Sequence, residues 1–545
     1  MLMSSNTILI ISMLSLTLSM FMFFNNSFIY ITIPMFKSMS ISISISLIMD
    51  WISLMFLSTV MMISSMILLF SMYYIPTKEH KQFSLMLIMF ILSMSILIMS
   101  NNLFLMLLGW DMLGMSSYIL VIFYQNHSSS SSGSITLLTN RIGDIFILLS
   151  ISMLLSQSMW ELNMNQNLFM ITLLMLMLAS CTKSAQFPFS AWLPMAMSAP
   201  TPISALVHSS TLVTAGIFLM IRISSHNHPY MLYMLMIISS ITALYAGISA
   251  NWEQDMKKII ALSTLSQMAM MMFAIAIMSI PLAFFHLIIH AFFKSLMFMC
   301  AGVMIHESSY QDMRMMSMNY LNIPLILITL GITNMALMGL PFTSGYFSKD
   351  MIIEKLISSK LECMLTLTMI SSIGMTASYS FRMMFLANKI LIKNKSNSEN
   401  HSNMYSNMPI MMMSPTAISL GSMLLWMINP QQMLIFPNMY KMLIMIMMIL
   451  GLILGLLLSF KSFIYKSMGQ SSISLWFIHF ISTKMMLISS PLMNLYSAND
   501  KNWQEFYGPN KLFLESKNMS SMELFKSSLL MILLMTMLLP SILLT

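Results

Sequence analysis

The chain has 545 residues, of which 58% are hydrophobic and 8% charged, and its mean hydropathy is +0.82. These values lie far outside the range of water-soluble domains, which excludes a soluble enzyme or binding module. A formal charge of +8 over this length fits loop lysines that set membrane topology and not a nucleic-acid surface, so no nucleic-acid partner is expected.

A helix needs roughly 20 apolar residues to cross the hydrocarbon core, and stretches of that length recur almost without pause, which predicts an all-α polytopic membrane protein of about 14–16 transmembrane helices. Strand barrels have shorter, alternating segments. The opening MLMSSNTILIISMLSL lacks a basic region and a small-residue cleavage site, so it reads as a retained first span near Ile8 rather than a signal peptide. Further apolar runs begin near Leu54, Phe83, Leu103, Ile135, Leu168, Ile203, Met231, Ile259, Leu282, Ile323, Met364, Pro409 and Met442. Polar joints separate them at Lys78–Lys81, the serine run Ser128–Ser132, Asn251–Lys258, Ser308–Arg314 and Lys393–Asn407.

Two runs are interrupted in the same style, TKSAQFPFSAWLP around Pro188 and LMGLPFTSGYFSKD around Pro341 and Gly345, with Lys183 and Lys349 beside the breaks. A proline inside a span frees backbone groups that lipid cannot satisfy, so such breaks face protein or a water-filled cavity. A matched pair of broken helices is the mark of an inverted repeat, although an ordinary proline kink would account for either one alone.

Beyond Gln470 the pattern changes. Asp500–Ser528 mixes Lys and Glu with Trp503, Phe506, Tyr507 and Phe525 before a last apolar run, Leu529–Thr545. An amphipathic helix along the membrane face followed by an anchoring span fits this layout, and roughly 40 helical residues would reach on the order of 60 Å. A polar loop between two spans is the alternative, and Gly508-Pro509 breaks any continuous helix there. The expected organisation is N-terminal transmembrane helices (1–100), a core of two inverted repeats (101–390, divided as 101–225 and 230–390), additional transmembrane helices (391–470), the amphipathic lateral region (471–528) and a C-terminal anchor (529–545).

An ionisable group at bilayer depth costs several kcal/mol, so each that persists is a functional candidate. Asp111 lies in NNLFLMLLGWDMLGMSSYIL, with apolar residues on both sides. Asp144 follows Arg141 in NRIGD, where a local ion pair or a membrane-edge position competes with conduction. In HLIIHAFFK, His286, His290 and Lys294 are spaced by four and share one helix face. Such a row can pass a proton from turn to turn, and histidine suits that task near neutrality. A lone histidine such as His208, in SALVHSS, reads first as a satisfied interior residue.

Cys181, Cys300 and Cys363 lie far apart without a C-x-x-C pair, so no iron–sulfur or zinc site is expected, and no glycine-rich phosphate loop occurs. The chain is expected to hold no cofactor. Its 75 methionines, scattered where Ile or Leu would serve, fit translation in an organelle whose code reads an isoleucine codon as Met. Met is otherwise a tolerated core filler.

Taken jointly, GWDMLGMSSY, NRIGD, TKSAQFPFSAWLPMAMSAPTPISALVHSSTLVTAGIFLMIR, DMKKIIALSTLSQM, HLIIHAFFKSLMFMCAG, QDMR, GLPFTSGYFSKD and TASYSFRM resemble the antiporter-like subunits of mitochondrial complex I, the NADH:ubiquinone oxidoreductase. The likeness is dense from about Asn101 to Met383. The tail looks like that of the subunit 5 group and is absent from the shorter subunits 2 and 4. The core motifs also belong to the large subunits of multisubunit cation/proton antiporters.

The resemblance implies a proton-translocating subunit of the mitochondrial inner membrane, surrounded by other membrane-arm subunits (subunit 4 above all), lipid and internal water. NADH, FMN, iron–sulfur clusters and ubiquinone would be bound by other subunits. Carried over by motif, Asp111, Lys183 and His208 form an input half, and His286, His290, Lys294 and Lys349 an output half. Many members have Glu where this chain has Asp111, so a bridging water is expected between Asp111 and Lys183. The rivals are a sodium/proton antiporter subunit and a structural brace without conduction.

Overall fold

The structure, a computed structural model, describes residues 1–38, 41–155, 170–224, 228–316, 324–358, 363–387, 403–428, 438–459, 466–474, 478–500, 508–509, 511–521 and 536. It is overwhelmingly helical. Helix α1 (Leu2–Asn25) leads into an antiparallel hairpin, β1 (Ile29–Ser38) and β2 (Ile41–Met49), bulged between Pro34 and Phe36. The hairpin was not foreseen, although the alternation ISISIS within β2 is the period of a strand. It has a structural role: Asn102 Nδ2 donates to the Ser44 carbonyl at 2.7 Å, and the Asn101 amide donates to the Ser46 carbonyl at 3.0 Å.

Asp50 ends the hairpin and starts α2 (Trp51–Tyr74) in a reciprocal capping box with Ser53. There follow α3 (His80–Met99), α4 (Leu103–Val121), α5 (His127–Leu155) and α6 (Met170–Lys183). The serine run expected as a joint is instead the first turn of α5. Each hydroxyl from Ser129 to Ser132 donates to a carbonyl three residues back, which lets serine sit in a membrane helix without an outside partner.

The first break falls between α6 and the short helices α7 (Trp192–Met195) and α8 (Thr201–Ile203), which lead through a π-helical stretch, Ser204–Thr211, into α9 (Leu212–Ile223). Helices α10 (Pro229–Trp252), α11 (Met256–Ala276) and α12 (Ile280–Ser308) come next, and the apolar windows of α11 and α12 are buried throughout. The second break separates α13 (Pro324–Met338) from α14 (Ser344–Ser358). Beyond it lie α15 (Cys363–Ala387), α16 (Met404–Ile428), α17 (Asn438–Ser459) and the short α18 (Lys466–Ile473).

Among the described residues, 11 helices are long and apolar enough to cross a membrane, and two shorter apolar helices, α6 and α13, end at the two breaks. A separate unit, Phe477–Thr545, contains α19 (Ile478–Asn499), with Pro491 inside it, and α20 (Lys511–Ser521). Both carry exposed apolar side chains, among them Leu492, Leu495, Tyr496, Leu512 and Phe513. The expected anchor at 529–545 lies outside the described residues apart from Thr536.

Lipid gives helices no hydrophobic reason to associate, so close packing must do it. In α17, Gly451 and Gly455 form a G-x-x-x-G pair that meets α15: a Cβ on Gly451 would lie 2.2 Å from the Gly374 carbonyl oxygen. Gly451→Ala should therefore loosen the α15–α17 contact by about 1–3 kcal/mol, the usual cost of overpacking. A lowered melting temperature of the assembled protein checks this, and an unchanged one refutes the packing argument.

Candidate functional site

The first break is closed by its own side chains. The Trp192 indole donates to the Thr182 carbonyl at 3.0 Å, a shorter bond than the one this carbonyl accepts from the Ala185 amide at 3.4 Å where α6 stops. Lys183, the last residue of α6, is fully buried, and its Nζ donates to the Trp110 carbonyl of α4 at 2.8 Å while lying 3.9 Å from the Trp110 ring centre. The ring face adds a cation–π attraction whenever the amine is charged.

Asp111 does not pair directly with Lys183. Successive residues on a helix point about 100° apart, so Trp110 faces inward while Asp111 faces the flank of α5, where Arg141 Nη1 lies 3.6 Å from its carboxylate. Arg141 also reaches Asp144 at 3.1 Å, so Asp144 has the local ion pair that its spacing allowed. It stands in the middle of α5. The Asp111 and Arg141 side chains remain 35% and 38% exposed, which puts them on the outside of the bundle with the buried Asp144 and Lys183 behind them. Arg141 was passed over as a site residue, and NRIGD carries the signal: a guanidinium three residues from a carboxylate inside a span.

His208 occupies the π-helical stretch, a distortion common at functional sites. Its ring meets Trp192 edge-on, with centroids 6.2 Å apart. Among the described residues, neither of its ring nitrogens has a hydrogen-bond partner.

His286, His290 and Lys294 are all fully buried on α12. His286 Nδ1 lies 2.7 Å from Ser348 Oγ and its Nε2 lies 3.1 Å from Gln267 Oε1. The His290 ring is 6.3 Å from that of His286, and its two nitrogens likewise have no partner among the described residues. Lys294 donates to Ser263 Oγ. Lys349, beside Ser348 on α14, donates back across the second break to the Leu337 carbonyl near the end of α13. That crossing needs a tight approach: Gly339 has φ 82°, and a Cβ on Gly345 would lie 1.9 Å from the Ala336 carbonyl oxygen.

The row expected on α12 thus meets α14 where His286 contacts Ser348, the residue before Lys349, while the Asp111 cluster and Lys183 form a second group against α4, α5 and α6. Sequence reasoning missed Ser263 and Gln267, the acceptors that α11 offers to this row. Their polar spacing of four does not mark them out, because Thr264 and Ser266 are polar in the same span. No group of three or more His, Cys, Asp or Glu residues able to hold a metal ion occurs among the described residues.

Residues 100–376 match the family described as NADH:quinone oxidoreductase/Mrp antiporter, TM, and residues 379–545 match that described as NADH dehydrogenase subunit 5 C-terminus. The NADH-ubiquinone oxidoreductase chain 5 of Aedes aegypti is 41% identical over 493 residues, covering 86% of this chain and 84% of its own length. That of Locusta migratoria is 40% identical over 493 residues, covering 86% of this chain and 85% of its own length. The fold is similar to a chain of the Mrp complex from Dietzia sp. DQ12-45-1b, with TM-score 0.73 and 19% identity over 95% of this chain, which spans 60% of that one.

Buried polar nitrogens in folded proteins are paired with protein groups or ordered water. A high-resolution structure of the assembled protein should therefore show water bonded to the ring nitrogens of His208 and His290. Dry packing around both rings would contradict a hydrated interior.

Proposed function

Since this chain belongs to the family of NADH:quinone oxidoreductase and Mrp antiporter membrane subunits, we propose that its buried lysines and histidines are the groups along which protons cross. The chain is a proton-translocating membrane subunit of respiratory complex I, with other membrane-arm subunits as neighbours. Electron transfer from NADH to ubiquinone belongs to other subunits, which hold the FMN, iron–sulfur clusters and quinone. This chain carries no redox site and works in the mitochondrial inner membrane.

One observation carries the reading: Lys183, His208, His286, His290, Lys294 and Lys349 are all at most 3% exposed inside an apolar bundle. Each ionised side chain at such depth costs about 3 kcal/mol or more, a cost that bracing alone would not justify, because well-packed apolar residues brace as well.

Lys183 works as a gate. It moves between a charged state facing the Asp111–Asp144 carboxylates, through water where the shorter Asp111 falls short, and a neutral state resting on the Trp110 carbonyl. Losing the charge at Lys183 sends the proton held farther along towards Lys294 and then Lys349. The signal for this comes from quinone chemistry elsewhere.

The part-exposed Asp111 and Arg141, with Asp144 buried beside them, support a specific neighbour. Two carboxylates against one guanidinium leave one negative charge facing outward in mid-span, which lipid tolerates poorly and a polar or cationic protein face offsets. The adjacent antiporter-like subunit 4 is that neighbour in this reading. The exposed apolar residues of α19 and α20 fit helices that lie along a membrane face.

In reconstituted complex, Lys183→Met should abolish proton pumping while the protein still assembles. Full pumping with normal quinone reduction would refute the gate. Lys294→Met separates relay from brace: a relay loses pumping with assembly intact, whereas a brace loses assembly.

A further inference from the structure

Three successive residues of α4 take three different directions. A Cβ on Gly109 would lie 2.9 Å from the Leu97 backbone nitrogen, so the bare glycine lets α4 close onto α3. Asp111 turns outward to Arg141. Trp110, fully buried, turns inward and gives Lys183 two contacts at once: its carbonyl accepts from Nζ at 2.8 Å, and its ring centre lies 3.9 Å from the same nitrogen. The indole N–H has no partner among the described residues, although a buried tryptophan usually finds one. The ring is therefore held by packing and by the amine it covers, and not by a hydrogen bond of its own.

The two contacts differ in what they distinguish. A carbonyl accepts from the amine whether that amine is charged or neutral. An aromatic face attracts the cation and offers the neutral form no such attraction. A contact biases a two-state equilibrium only by as much as it differs between the states. Among the described residues Lys183 makes no ion pair, so of its two direct contacts the ring is the one that tells charged from neutral.

The charged groups that act on Lys183 from farther away are Asp144 and Arg141 on α5 and Asp111 on α4. Of the other helices packed against α6, α10 carries tyrosines but no charged residue, and Arg222 of α9 is paired with Asp50 at 2.6 Å. His208 lies beyond Trp192. Both carboxylates share Arg141, whose own charge offsets their pull on the amine.

We propose that Trp110 is a positioning residue for the gate: its ring holds Lys183 in the charged state that faces the Asp111–Asp144 carboxylates, the part that a directly paired acid would otherwise take. The two halves of the site differ accordingly. Lys294 and Lys349 rest on a hydroxyl and a carbonyl, and among the described residues neither has a ring or a carboxylate in contact to favour its charge.

This inference rests on the reading that Lys183 is the gate, and the test separates the two. Complex reconstituted in liposomes is driven with NADH over a range of pH, and protons moved per NADH oxidised are compared for wild type, Trp110→Phe, Trp110→Leu and Lys183→Met. Removing the ring withdraws support from the charged amine, so Lys183 gives up its proton at lower pH. The alkaline limit, where the ratio falls to half its maximum, should therefore move down. The move should be about one pH unit in Trp110→Leu, the size of a desolvated cation–π contact, and smaller in Trp110→Phe, which keeps a weaker ring. A merely structural role would lower assembly or rate in both variants and leave the limit in place, which overturns the proposal. An unmoved limit alongside lost pumping in Lys183→Met overturns this inference alone; full pumping in Lys183→Met overturns the reading beneath it. If Trp110→Leu does not assemble, Trp110→Phe decides: a lowered limit supports the proposal and a wild-type limit overturns it.

Discussion

An amine nitrogen inside an apolar bundle must find oxygen for its N–H groups, and the helices around it have already spent their backbone carbonyls on one another. This protein meets the constraint with acceptors that are neutral. Lys183 takes the Trp110 carbonyl, Lys349 the Leu337 carbonyl, Lys294 the Ser263 hydroxyl, and the buried Lys257 the Ala199 carbonyl at 3.1 Å. A carboxylate in contact would hold such an amine protonated; a carbonyl or hydroxyl accepts from the charged and the neutral form alike. The choice of acceptor leaves the charge of each lysine open to change. The broken helices follow from the same need, because a helix that stops inside the membrane leaves its last carbonyls free. Leu337, near the end of α13, is in that position.

Features that follow from local chain properties were legible in the sequence. Span length and apolarity give the helices, proline and glycine give the two breaks, and a spacing of four gives the row on α12. What remained hidden depends on which helix faces which. Serine is common throughout these spans, and almost every hydroxyl donates to a carbonyl in its own helix, as Ser64 and Ser93 do. Nothing in the sequence separates those from Ser263 and Ser266, which do the same and also face a lysine and a tyrosine across the interface. The pairing of α11 with α12 and α15 creates the distinction. Likewise GWD suggested that Asp111 looks towards Lys183, but a single residue step turned the carboxylate to Arg141. The π-helical turn under His208 has no signature in SALVHSS.

The two halves of the site differ in how they are closed. Around Lys294 the groups are fully buried within this one chain, so their electrostatics are set here. Around Lys183 the amine is buried, but of the charges that act on it Asp111 and Arg141 sit part-exposed on the outer flank of α4 and α5. Arg141 lies between two carboxylates and offsets both; whatever covers that flank competes for the same carboxylates. A cation brought against Asp111 would free Arg141 to favour Asp144, and withdrawing it would return the guanidinium to both. Either shift alters the field at Lys183 through a low-dielectric layer, where a charge movement of a few ångströms is screened far less than in water. The half of the site that cannot close by itself is therefore the half whose electrostatics depend on what covers it.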